Sequence, residues 1–229
     1  MFSPEGPSLR ELAVQALSSV ERGYDLLAPK FDATPFRTPG VLLDAVAGAL
    51  RPLGPFGEGL DLCCGTGVGL GVLRRVCRGP VTGVDFSAGM LAQARRAHPC
   101  ARFVRADARA LPFAGAFDLA VSFGAFGHFL PRERAPLFAG VYRALRPGGC
   151  FAFPLVRPPR VGSGLYWALW GFDLAMRIRN AVWRPPFVMY YRTFRLPDVL
   201  ADLARTGFRT HTRPLLRDSL LLVARRPGG

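Results

Sequence analysis

From residue 59 onward the apolar positions fall into short blocks separated by longer stretches of helical spacing. The blocks at 59–63, 80–85, 101–106, 117–123 and 149–155 have the length of buried strands. Between them, 68–77, 88–97 and 132–145 carry apolar residues three and four apart, which predicts helices. Short strands alternating with helices imply a parallel sheet with crossover connections. Pro52, Gly54, Pro55 and Gly57 form a turn cluster ahead of the first strand, and Pro147-Gly148-Gly149 reads as a sharp turn into the fifth.

The flanks have a different rhythm. Leu9, Leu12, Ala13, Ala16, Leu17 and Val20 recur at helical spacing and predict one apolar helix face. Tyr24-Asp25 follows, then a loop broken by Pro29, Pro35 and Pro39, then a second helix near 41–50. Residues 1–50 thus read as a helical cap and 51–229 as the sheet domain. Within it, 156–195 interrupts the alternation, opened by Pro158-Pro159 and holding a helical stretch closed by Pro185-Pro186. Tyr166, Trp167, Trp170, Phe172, Trp183, Tyr190 and Tyr191 make this segment aromatic, with Arg177, Arg179 and Arg184 between them. It reads as a substrate-side insertion with an apolar or aromatic pocket, or equally as a lid helix packing its aromatics on the sheet. A basic aromatic surface touching a membrane is a third reading. A helix at 196–204, with Pro197 in its first turn and Gly207 after its end, leads into strands at 208–214 and 219–224.

Composition narrows the class. The chain has 229 residues, half of them hydrophobic, enough for one substantial domain. No apolar run reaches the roughly 18 residues of a spanning helix, and residues 1–8 lack the pattern of a secretory signal. Cys63, Cys64, Cys77, Cys100 and Cys150 show no CxxC spacing, so no metal site is expected and a reduced, cytoplasmic setting fits. The formal net charge is +14, with Lys30 as the only lysine. The arginines are scattered along the chain, which favours a solvated surface over a nucleic-acid or membrane footprint; the charge leaves both open.

The chemistry gathers at the ends of the predicted parallel strands, where open α/β sheets bind ligands. Gly65, Gly67 and Gly69 turn the first strand into a helix. Asp85 ends the second strand about 20 residues on, where a carboxylate can accept ribose hydroxyls. Asp107 ends the third strand and Ser122-Phe123-Gly124 the fourth. Singly, such an aspartate is most often a helix cap and such glycines a tight turn; the order and spacing of the set are more specific.

The set resembles the class I S-adenosylmethionine-dependent methyltransferases, near the methyltransferase type 11 and ubiquinone/menaquinone methylase-like group. The resemblance is carried by Leu60-Asp61-Leu62-Cys63-Cys64-Gly65-Thr66-Gly67, by Val84-Asp85-Phe86-Ser87 with Met90-Leu91, and by Asp107-Ala108 before Leu111-Pro112-Phe113. Phe117-Asp118-Leu119 and Leu145-Arg146-Pro147-Gly148-Gly149 extend it. It implies a seven-stranded Rossmann-like α/β sheet, mostly parallel with an antiparallel last strand and helices on both faces. It implies S-adenosylmethionine as cofactor, released as S-adenosylhomocysteine. Gly65 and Gly67 would pass under its methionine part, with Asp61 near the amino group. Asp85 would hold the ribose, Phe86 and Met90 would lie against the adenine, and Asp107 with the Ala108 N–H would meet the adenine edge. Ser122 and Phe123 would line the path near the sulfonium, and Tyr24 would close over the cofactor. Cys63 departs from the pattern, which has glycine there.

A dinucleotide turn needs G-x-G-x-x-G, and its third glycine is replaced by Leu70, Val72 or Arg74 in the three registers, so the motif fails. His128, after the fourth strand, is a candidate general base, against the plainer reading of a wall residue. No Asn/Asp-Pro-Pro-aromatic motif follows that strand, and the one Pro-Cys pair, Pro99-Cys100, precedes the third strand at the opposite sheet edge. The expected function is methyl transfer to a small, apolar or aromatic acceptor. A catalytically silent protein of the same fold, and an RNA- or membrane-associated methyltransferase, are the alternatives; the oligomeric state is left open.

Overall fold

The computed structural model describes residues 6–190, 192–216 and 218–228. Seven strands form one sheet: β1 (Gly59–Leu62), β2 (Val81–Asp85), β3 (Arg102–Arg105), β4 (Phe117–Val121), β5 (Leu145–Val156), β6 (Arg209–Pro214) and β7 (Ser219–Arg225). Their spatial order is β3-β2-β1-β4-β5-β7-β6. The first five are parallel, and β7 runs antiparallel to both β5 and β6. The chain builds outward from β1 in one direction through β2 and β3, then returns to the other side of β1 with β4. The crevice between the carboxyl ends of β1 and β4 is therefore the topological switch point, where such sheets take ligands.

Helices α1 (Leu9–Leu17), α2 (Val20–Leu27) and α3 (Gly40–Leu50) precede the sheet, and α4 (Val68–Val76), α5 (Ala88–Ala97) and α6 (Arg134–Ala144) connect its strands. Helices α7 (Gly164–Val182) and α8 (Leu196–Thr206) lie between β5 and β6. Side chains alternate across each strand, so the sheet divides the core in two. On β7, Leu222 and Ala224 join Phe138, Phe151, Phe153 and Leu203 on one face. Leu221 and Val223 join Val46, Leu50, Leu70 and Leu73 on the other. Each fully buried phenylalanine or leucine contributes about 1.5–3 kcal/mol. Arg134 of α6 and Asp202 of α8 form a buried ion pair at 2.5 Å, tying two helices of the first face together.

Four expectations change. The apolar repeat from Leu9 to Val20 is not one helix: the chain breaks at Ser18-Ser19, because the Ser19 hydroxyl accepts from the Arg22 N–H and starts α2 afresh. Its apolar face is not buried either; α1 turns Gln15 inward and leaves Leu9 and Leu17 exposed. Pro147-Gly148-Gly149 lies inside β5, as an irregularity in the pairing with β4 between Phe117 and Leu119, rather than as a turn before the strand. The tryptophans of 156–195 do not line a pocket. On α7 the inward stripe is Tyr166, Leu169, Asp173, Met176 and Asn180; Trp167 falls away from it and Trp170 on its flank, both exposed. Trp183 is exposed, Tyr190 is buried, and Tyr191 lies outside the described residues.

Candidate cofactor and acceptor site

Strand β1 ends in a turn whose backbone is left-handed at Cys63 (φ 54°), Gly65 (φ 53°) and Gly67 (φ 97°). Glycine adopts this conformation freely; a cysteine does so at a cost of about 1–2 kcal/mol. A Cβ on Gly65 would touch nothing within 4 Å, so the turn faces open space there. A Cβ on Gly67 would lie 2.7 Å from the His98 ring, and one on Gly69 would lie 2.3 Å from Asp61 Oδ1. Gly69 thus lets the start of α4 rest on the Asp61 carboxyl, to which the Gly69 and Leu70 N–H groups donate. Asp61 Oδ2 is buried and has no hydrogen-bond partner among the described residues. Burial first, then the nearby Asp85 charge, pushes the Asp61 carboxyl well above the usual range.

Asp85, at the end of β2, is buried beside this turn. Its Oδ2 accepts from the Gly65 N–H at 2.8 Å and its Oδ1 from the Ser87 N–H at 2.9 Å. Burial raises its pKa, against these backbone donors. Each oxygen keeps a lone pair for a further donor. Asp107, at the end of β3, holds Arg109: Nε donates to Oδ1 at 2.9 Å and Nη2 to Oδ2 at 2.5 Å. The guanidinium keeps the Asp107 carboxyl below the usual carboxylate range, and it also pairs with Glu133. Ala108 is buried beside it, Phe86 is half-buried and Met90 is buried in α5.

The structure gives Ser122 and Phe123 inward-facing packing contacts. The Ser122 hydroxyl donates to the Leu62 carbonyl at 2.9 Å, joining β4 to β1 across the switch point. Phe123 packs into the core on the α3–α4 side of the sheet.

His128 follows β4 in a short 3-10 turn, Phe126–His128. Its Nδ1 lies 2.6 Å from the Val188 carbonyl, and its Nε2 lies 2.7 Å from the Tyr24 hydroxyl. A carbonyl only accepts, so Nδ1 carries the proton and Nε2 accepts from Tyr24. Burial lowers the His128 pKa and keeps the ring neutral near pH 7. Phe187 packs against both, its ring stacked on Tyr24 at 6.5 Å and edge-on to His128 at 6.3 Å.

Three residues not among the candidates named above join the segment before the sheet to this region. Asp25 Oδ1 accepts from the Ser87 hydroxyl at 2.6 Å and the Gly89 N–H at 2.8 Å, capping α5 from a distance. The Thr66 hydroxyl, inside the glycine turn, donates to Asp32 at 2.7 Å. The neighbour of Tyr24 in a conspicuous Tyr-Asp pair was a readable signal for Asp25; nothing local marks Asp32.

A glycine turn from β1, an aspartate ending β2, another ending β3, and a sheet closed by an antiparallel β7 are the arrangement of class I S-adenosylmethionine-dependent methyltransferase domains. Residues 60–149 match the family model described as a methyltransferase domain. An uncharacterized methyltransferase of Synechocystis sp. is 38% identical over 109 residues, 47% of this chain and 50% of that protein. A demethylmenaquinone methyltransferase of Beutenbergia cavernae is 41% identical over 95 residues, 39% of this chain and 37% of that protein. The chain spans about half the length of the curated relatives it matches. Among solved structures, the DhpI–SAH complex shares the fold with a TM-score of 0.67 and 20% identity, covering 96% of this chain and 99% of that one. The residues present fit the cofactor of this class. Gly65 leaves room for close approach, and Asp61 Oδ2 is a buried polar atom with no partner among the described residues, which an ammonium group would satisfy.

Proposed function

We propose that the chain transfers a methyl group from S-adenosylmethionine to a small, apolar or aromatic acceptor. When bound, the cofactor supplies a methyl carbon already activated by a sulfonium. The protein's part is then to bind, orient and keep water out. Asp85 would accept from the ribose hydroxyls with its remaining lone pairs, Asp61 Oδ2 from the ammonium, and Asp107 with Ala108 would meet the adenine edge. The observation that carries the reading is the junction of Gly65 and Asp85: one backbone N–H locks the ribose-binding carboxylate onto a turn that is open on its outer side.

The acceptor side is read from Tyr24, His128 and Phe187. Their rings form an aromatic wall, which supports a flat or apolar acceptor. His128 Nε2 accepts from the Tyr24 hydroxyl; an acceptor O–H or N–H that replaces this contact meets a neutral imidazole able to take its proton.

Calorimetry with S-adenosylmethionine and S-adenosylhomocysteine tests the cofactor, and turnover across a panel of phenols, quinols and amines tests the reaction. Binding of neither cofactor form removes the proposal. Binding without turnover favours a catalytically silent protein of the same fold. An RNA acceptor would be revealed by methylation of RNA alone.

A further inference from the structure

We infer that the outer face of α7 is a docking surface for an anionic lipid bilayer. The helix has 19 residues, so it is about 28 Å long. Its polarity is inverted for a water-facing helix. Asp173 is buried and Asn180 half-buried on the inner stripe. Outside stand Leu165, Trp167, Trp170, Leu174, Ile178 and Val182, with Trp167 57%, Ile178 56% and Val182 78% exposed. Exposed apolar side chains gathered along one helix mark an interaction site.

The inner polar stripe has a use of its own. Asn180 accepts from the Phe187 N–H at 2.8 Å and donates to the Phe187 carbonyl at 3.1 Å and the Tyr190 hydroxyl at 2.9 Å. Arg179 donates to the Ser18 carbonyl, and the Trp183 indole to the Leu17 carbonyl. These bonds fix which side of α7 faces the body, so the apolar side is held outward.

Charge selects the occupant. Residues 156–195 contain seven arginines and one acidic residue, Asp173, which is the buried one. Arg157, Arg160, Arg177, Arg184, Arg192 and Arg195 are exposed along this segment, Arg177 over the Tyr190 ring and Arg192 over the Tyr166 ring at the flank of α7, and the segment exposes no acidic side chain beside them. A second copy would bring the same arginines against themselves, with like-charge repulsion. Tryptophans between arginines on an apolar ridge match a bilayer interface: the rings enter the headgroup boundary and the guanidinium groups meet anionic lipid. The surface stands on this geometry whether or not the neighbouring site transfers methyl groups.

The three tryptophans of the chain, Trp167, Trp170 and Trp183, all belong to this segment, so intrinsic fluorescence reports on it alone. The full chain is mixed with phosphatidylcholine vesicles, with or without phosphatidylglycerol, and followed by tryptophan emission and flotation. Expected are a blue shift and co-flotation with the anionic vesicles only, both weakened by salt. Leu174→Glu with Ile178→Glu should weaken binding about tenfold or more. Arg177→Gln with Arg184→Gln should weaken it severalfold while leaving the apolar face intact. Circular dichroism and S-adenosylmethionine calorimetry on the same samples separate a folding or cofactor failure from a docking failure. No shift and no flotation overturns the inference, as does equal flotation with both vesicle types or flotation indifferent to both double variants. Self-association or RNA retention in place of vesicle binding also overturns it, assigning the face to that partner.

Discussion

The Tyr24 hydroxyl lies 2.7 Å from His128 Nε2, although 104 residues separate the two in the chain. One belongs to α2 and the other to the loop after β4, so the packing of α2 against that loop builds the contact. If the pair serves proton transfer, His128→Gln should lower turnover by about 10²–10⁴ while S-adenosylmethionine binding changes little. Tyr24→Phe should lower it less, since the imidazole is kept. In wild type the rate should be flat near neutral pH and fall as acidification protonates His128, at a pH below its ordinary value because burial disfavours the charge. His128→Gln should remove that acid limb. An unchanged limb would assign His128 to the wall.

Asp85 joins two backbone N–H groups and the proposed ribose contact. Asp85→Ala should weaken cofactor binding by at least about 10²-fold, the loss of charge-assisted hydrogen bonds worth about 1.5–3 kcal/mol each. It should also destabilise the fold by leaving the Gly65 and Ser87 N–H groups unpaired. Asp85→Asn keeps the shape and separates the two effects. Calorimetry and urea unfolding read them independently; unchanged affinity in both variants would place the ribose elsewhere.

Asp61 is costly to the empty fold. Its native pKa is raised, so the native state holds the proton more tightly than the unfolded chain does. Its contribution therefore favours folding at acid pH and is lost as pH rises through the native value. Asp61→Asn should match or exceed wild-type stability at neutral pH, its relative stability rising from acid to neutral, while cofactor affinity falls. Urea midpoints at several pH values check the sign; a variant less stable at neutral than at acid pH, relative to wild type, would be the wrong sign.

Cys63 holds a left-handed backbone that costs an L residue about 1–2 kcal/mol, while glycine would lose about 0.5–1 kcal/mol in unfolded-chain entropy. Cys63→Gly should therefore be neutral or up to about 1 kcal/mol more stable, without loss of cofactor binding. Burial also pushes the Cys63 thiol well up, so alkylation at neutral pH should mark the exposed Cys100 first. Thermal melts and peptide mass spectrometry test the two statements.

The strand–helix alternation was legible because each strand of the sheet centre is a short apolar block, and β1 and β2 are buried along their whole length. The break at Ser18-Ser19 was less legible, since a cap competes with an apolar period that runs across it. The irregularity in β5 was read as a turn because proline and glycine punctuate both; only pairing with β4 distinguishes them.

By itself the sequence determined the order of strands and helices, the glycine turn, and the acidic residues at the strand ends, because these depend on local periodicity and on residues with special backbone freedom. The tertiary structure alone decided which groups meet. Sequence spacing holds no information about the distance from Tyr24 to His128, from Thr66 to Asp32, or from Asp25 to Ser87; those follow from how residues 24–32 pack against the ends of the strands. It also decided the facing of α7. The helix has apolar residues on most of its circumference, so its pattern does not choose a side. Hydrogen bonds from Arg179, Asn180 and Trp183 choose it, and they leave Trp167 on the outside.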